Sequence, residues 1–115
     1  MTAMNIVRFR VKPGRAADFI AHHRTVGRET FDGFRRFALV QTGPDAFCVV
    51  GEWDSLDKLK AGRPAMIAVL DGMRDMLVDL GPDLGVTDPV SGEVVLDLEG
   101  PATRSGEPMA GAATR

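Results

Sequence analysis

Few side chains in this chain could act on a small molecule. It holds two histidines, one tryptophan, one cysteine and no tyrosine. A histidine titrates near neutrality and can serve as a general base. His22 and His23 are adjacent, so on a helix they point roughly 100° apart and cannot grip one metal ion together. No His-x-x-x-His or Cys-x-x-Cys spacing occurs, and no metal site is expected. His23 shares an apolar stripe with Ala16, Phe19 and Ile20. It reads either as the base of a cleft or as a satisfied core or interface residue. His22 reads as facing solvent.

Asn5 shares a strand face with Val7 and Phe9. A buried amide left without partners costs roughly 2–7 kcal/mol. Asn5 therefore either donates to a substrate carbonyl or oxyanion, or ties down the strand end. Trp53 closes the apolar run of "FCVVGEWDS". It is either an apolar wall that stacks on a flat ligand, or a plug at the seam of sheet and helix with its indole nitrogen bonded to a carbonyl. Met66 and Met73 lie seven residues apart on one helical stripe. With Met76 they suit an adaptable pocket wall, and they suit a core equally well. The cleft that these positions define is bounded by Asn5, Phe9, His23, Trp53, Met66 and Met73. His23 is its candidate base, Asn5 its oxyanion donor, and Trp53, Phe9, Met66 and Met73 its substrate walls.

Other reactive patterns are missing or have ordinary explanations. Arg8, Arg10, Arg35 and Arg36 form either a basic strip or ion pairs with Glu29, Asp32 and Glu52. Cys48, the sole cysteine, can form no intrachain disulfide and reads as a small buried filler. Neither a glycine-rich phosphate loop nor a Gly-x-Ser-x-Gly elbow occurs. The chain is 44% hydrophobic and 26% charged, with net charge −2. That balance gives no electrostatic reason to expect nucleic acid or an anionic membrane as partner. No apolar run approaches the ~20 residues of a membrane span. The first ten residues lack the pattern of a signal peptide, so the cytoplasm is the expected compartment.

Periodicity supplies the elements that must position these residues. Asn5 to Val11 alternates with a period of two, the mark of a half-buried strand. Pro13-Gly14 ends it, and a helix is expected from about Pro13 to the Arg28 region. "RRFALVQT" and "AFCVVGEW", joined by Gly43-Pro44-Asp45, read as a hairpin. Asp54 or Ser55 caps a short helix that Gly62 closes. A longer helix follows, with Pro64 in its first turn and Gly81-Pro82 at its end. Its stripe of Met66, Val69, Leu70, Met73, Leu77 and Leu80 is expected to dock it firmly. "EVVLDL" reads as the last strand. Residues 99–115 are rich in glycine, alanine and proline without periodicity, and a disordered tail is expected there. One domain, 1–98, remains. Its order of elements is βαββαβ, an α+β ferredoxin-like plan with a four-stranded antiparallel sheet. The far face of that sheet would carry Ile6, Ala38, Val40, Cys48, Val50 and Val95. It is too apolar for water, so a second copy of the chain is the expected cover.

With these stretches in place, the chain resembles the antibiotic biosynthesis monooxygenase (ABM) superfamily of dimeric α/β barrels. The resemblance rests on "VRFRVKPGRAADFIA", "GFRRFALVQT", "FCVVGEWDSLDKLKA" and "EVVLDL", and covers about residues 4–98. It implies a homodimer in which two sheets form a barrel, with a cleft in each subunit between sheet and helices. It also implies activities that range from cofactor-independent oxygenation of aromatic polyketides or quinols to haem degradation. Haem degradation is not expected here, because Val7 stands at the position of the required strand asparagine. Gly62 and Gly72 fall near where the required tryptophan and histidine would be. The expectation is thus a cofactor-free monooxygenase acting on a flat phenol, quinol or polyketide-like molecule. Its alternatives are a small-ligand binder without catalysis, and a structural dimer whose cleft is filled.

Overall fold

The computed structural model describes residues 1–101. Four strands, β1 (Ala3–Arg10), β2 (Phe34–Gly43), β3 (Ala46–Trp53) and β4 (Asp88–Glu93), form one antiparallel sheet in the order β2-β3-β1-β4. Helix α1 (Ala16–Arg24) links β1 to β2, and α2 (Leu56–Ala61) with α3 (Arg63–Asp71) link β3 to β4. This is the ferredoxin-like α+β arrangement expected from the order of elements.

Alternation along the strands sorts their side chains. Ala3, Asn5 and Phe9 on β1 and Phe47, Val49, Gly51 and Trp53 on β3 are buried beneath the helices. The opposite faces of these strands, and of β2, carry Ile6, Ala38, Val40, Cys48 and Val50, all partly or well exposed. Two apolar clusters form on the helix side. One contains Phe9, Val11, Phe19, Phe47, Val49, Met73, Met76 and Leu77, and the other Ala3, Trp53 and Leu59. Ser55 caps α2, accepting from the Lys58 amide at 3.1 Å, and Pro64 sits in the first turn of α3.

Several boundaries differ from the sequence reading. Helix α1 is shorter at both ends, and a separate 3₁₀ turn covers Arg28–Thr30. The hairpin link shrinks to Pro44 and Asp45, because Gly43 pairs with Ala46. The long helix expected to reach Leu80 stops at Asp71, followed by a 3₁₀ turn at Arg74–Met76. Its docking is also looser than expected, since no residue of α3 is fully buried. Met73 and Leu77, which do enter the core, belong to the segment after it. That segment leaves the helical path to join β1: Lys12 donates to Met76 O and Val78 to Arg10 O, both at 2.8 Å, and Leu77 bridges Val11.

The closing strand is Asp88–Glu93 rather than Glu93–Leu98. A turn through Gly81 and Gly85, both at positive φ, returns the chain beside β1, where Asp88 meets Arg8. Pairing runs from there to Ala3 opposite Glu93, and Val94 donates to Thr2 O at 2.8 Å. The ladder stops there, and Val95, Leu96 and Leu98 are exposed despite their strand-like pattern. Val90, not Val95, therefore joins Ile6 on the far face of the sheet. Pro89 is tolerated because β4 is an edge strand, where one row of amides needs no partner. Residues 102–115, most of the expected tail, lie outside the described residues.

Candidate functional site

A cavity of about 590 Å³ opens between the helix-facing side of the sheet and α3. Its size is that of a small-molecule site, in the range of ~300–1,000 Å³. Five of the six expected positions line it, namely Asn5, Phe9, His23, Met66 and Met73. The looseness of α3 has its cause here: Met66, Val69 and Leu70 touch the edges of the two clusters but also border the cavity, and remain only partly buried.

Trp53 is not on the wall. It is fully buried, enclosed by Phe31 and Phe34 with ring centroids at 6.1 and 4.8 Å. Gly62 closes over it, and a Cβ there would come within 2.5 Å of the indole. The indole nitrogen donates to Asn5 Oδ1 at 2.8 Å, so the expected carbonyl partner is the side-chain amide of Asn5 itself. This bond fixes the amide. An indole N–H can only donate, so Oδ1 must face Trp53 and the NH₂ must turn the other way. There it meets the Met66 thioether at 3.7 Å, a weak acceptor. Gly51, opposite Asn5 on β3, leaves room for this arrangement, because a Cβ at Gly51 would collide with Asn5 Oδ1.

His23 is 7% exposed. Its ring meets Phe19 edge-on at 4.5 Å and stacks on Phe37 at 5.6 Å. Nδ1 lies 2.8 Å from the Phe19 carbonyl oxygen, so the hydrogen sits on Nδ1 and the neutral ring keeps its lone pair on Nε2. Burial holds the His23 pKa below the usual 6.5, with lesser contributions from the charges of His22 and Arg28; the carbonyl bond opposes the shift only in part. A neutral imidazole is therefore its resting form at neutral pH.

The sequence reading missed Arg28, Phe37, Arg63 and Ser91, all of which line the cavity. For Arg63 a signal existed. An arginine in the first turn of a helix opposes the helix dipole, and that turn holds no acid. Ser91 had none, because its segment read as a loop. The expected ion pairs form with other partners: Arg8 meets Asp88 at 3.8 Å and Arg35 meets Asp54 at 3.5 Å, while Asp32 takes Lys58. Among the described residues no group of three or more histidines, cysteines and acids is placed to hold a metal ion. No described helix is long and apolar enough to cross a membrane.

The family model for antibiotic biosynthesis monooxygenases matches residues 2–63, just over half of the 115-residue chain. The chain belongs to the ABM family. The matched stretch carries Asn5, Phe9, His23 and Trp53, whereas Met66 and Met73 follow it. Solved structures agree on the ABM fold. SnoaB, a cofactor-independent oxygenase from Streptomyces nogalater, is 14% identical with a TM-score of 0.66, over 84% of this chain and 96% of its own. A protein of unknown function from Nitrosomonas europaea is 17% identical with a TM-score of 0.67, covering 89% and 96%. A conserved protein from Methanosarcina mazei is 15% identical with a TM-score of 0.65, covering 81% and 92%. A comparison with curated protein sequences returned no match.

Proposed function

We propose that this ABM protein is a cofactor-independent monooxygenase acting on a flat, oxidisable aromatic molecule such as a phenol, quinol or polyketide-like ketone. Family membership gives the reaction class. The observation that carries the reading is the open apolar cavity, lined by one neutral histidine and one oriented amide donor. Such a site can ionise a weakly acidic substrate. His23 Nε2 takes the proton, and the Asn5 NH₂ supports the oxyanion that forms. The electron-rich anion then reduces dioxygen and bonds to it, giving a hydroperoxide. Loss of water leaves a new carbonyl, so a ring CH₂ and O₂ become C=O and H₂O. The protein's share is a dry, shaped space, a base and a donor.

An open cavity does not support the structural alternative, in which side chains fill the cleft. Binding without catalysis is the remaining rival. Oxygen uptake measured over a panel of quinols and anthrone-type ketones separates the two. The expected outcome is stoichiometric uptake, with His23→Gln slower by about 10²–10⁴-fold. Uptake by His23→Gln equal to that of the parent would remove the histidine from the reaction. Ligand binding without any uptake across the panel would leave a binding protein.

The same reading includes a homodimer. In the register of the sheet, Ala38, Val50, Ile6 and Val90 form one apolar row across all four strands on the far face. A second copy of the chain covers that row, whose edge residue Val90 also borders the cavity.

A further inference from the structure

The charges around the cavity are of one sign. Arg28, Arg63 and Arg74 line it, with no aspartate or glutamate. Two of the three are committed elsewhere. Arg74 Nε donates to Asp71 at 2.7 Å. Arg28 donates to the His23 carbonyl at 2.9 Å and lies over the Phe37 ring at 5.2 Å. Arg63, like Arg28, has no carboxylate within 4.0 Å among the described residues, but it bonds to a side chain rather than to the backbone: its Nη2 donates to Ser91 Oγ at 2.9 Å. Ser91 stands directly opposite Asn5 in the β1–β4 ladder, so hydroxyl and amide share the helix-facing side of the sheet. Asn5 is 9% exposed, and among the described residues its NH₂ bonds to the thioether of Met66 alone. Glu93, next on that face of β4, is exposed and does not line the cavity.

Arg63, Ser91 and Asn5 thus place a guanidinium, a hydroxyl and an amide donor together along one side of the cavity. We infer that this corner binds an oxyanion carried by the ligand, so that the molecule taken up is an aromatic carboxylic acid. The inference rests on the reading of the cavity as a small-molecule site and specifies its substrate class. A carboxylate suits the corner because a planar guanidinium matches its two oxygens with two parallel hydrogen bonds. The Arg63 guanidinium, with no acidic partner among the described residues, also favours a negative charge. The Ser91 hydroxyl, which accepts from Arg63, still has its proton to give. The apolar remainder, from Val7 and Phe9 across to Phe37 and Met73, receives the ring system.

The test compares two probes of one shape, 3-hydroxy-2-naphthoate and its uncharged amide, titrated calorimetrically into the full-length protein. The acid is expected to bind at least about tenfold more tightly, the usual scale of a hydrogen bond to a charged group. Arg63→Gln should bring the acid down to the level of the amide and leave the amide unchanged. Arg63 is exposed, so the substitution spares the core. Ser91→Ala should weaken the acid several-fold, and added salt should weaken the acid alone. Equal binding of both probes by the parent overturns the inference while the cavity reading stands. So does a preference for the acid that survives in Arg63→Gln. Binding of neither probe overturns both. A preference for the acid, lost in Arg63→Gln, together with no oxygen uptake on any aromatic acid upholds the corner and removes the oxygenase.

Discussion

At the residue scale, the two ends of the Asn5 amide face different surroundings, its oxygen the buried indole and its nitrogen the cavity. His23 is divided in the same way between a backbone carbonyl at Nδ1 and a free lone pair at Nε2. Burial makes the charged imidazole the disfavoured form, and this has a consequence for stability. The folded pKa lies below the unfolded value of 6.5, so in the window between them the unfolded chain binds more protons than the folded one. The contribution of His23 to stability is therefore fully present above pH 6.5 and declines as pH falls through that window towards the folded pKa. Melting temperature followed from pH 7.5 to 5 should fall, and in His23→Gln the part of that fall due to the imidazole should vanish. In the proposed reaction, where the neutral ring acts as base, the acid limb of turnover should likewise lie below pH 6.5. A His23→Gln variant with the pH–stability curve of the parent would show that the ring titrates freely.

At the element scale, α2 and α3 are unlike neighbours. Leu59 of α2 is fully buried beside Trp53, whereas the apolar stripe of α3 is only partly buried and borders the cavity. Few packed atoms hold α3 down, so its amides should exchange hydrogen faster than those of α2. A ligand in the cavity supplies the missing contacts, and binding should slow exchange in Arg63–Asp71 selectively. Equal protection of both helices in the free protein would contradict this. The contrast also shows what the sequence could and could not reveal. Period and capping located every strand and helix except the last strand, and they placed Asn5, Phe9, His23, Met66 and Met73 around one space. The stripe on α3 could not reveal whether it met a core or a cavity, because both demand the same apolar residues. The last strand was misplaced because "EVVLDL" has the better alternation, while pairing was decided by where the turn at Gly81 and Gly85 delivered the chain to β1. Trp53 reads from sequence as either a wall or a plug, because a strand end cannot tell which side of Asn5 the indole will occupy; in the structure it is the plug.

At the scale of the whole molecule, the far face of the sheet and the segment after β4 expose apolar surface together. The row of Ala38, Val50, Ile6 and Val90 crosses the sheet, and Val95, Leu96 and Leu98 follow β4 exposed and unpaired with any strand among the described residues. Val50 sits at the centre of that row and away from the cavity, so Val50→Lys should yield a folded monomer where light scattering gives the parent a mass of two chains. A parent mass of one chain at micromolar concentration would remove the dimer. The burial of Trp53 has a practical consequence as well. With no tyrosine and no second tryptophan, all ultraviolet emission of the chain above the weak phenylalanine signal comes from one indole. That indole is sealed from water and hydrogen-bonded to the residue that borders the cavity. The chain thus contains its own optical gauge: an aromatic guest in the cavity should dim the light, and a disturbed Asn5 should shift its colour.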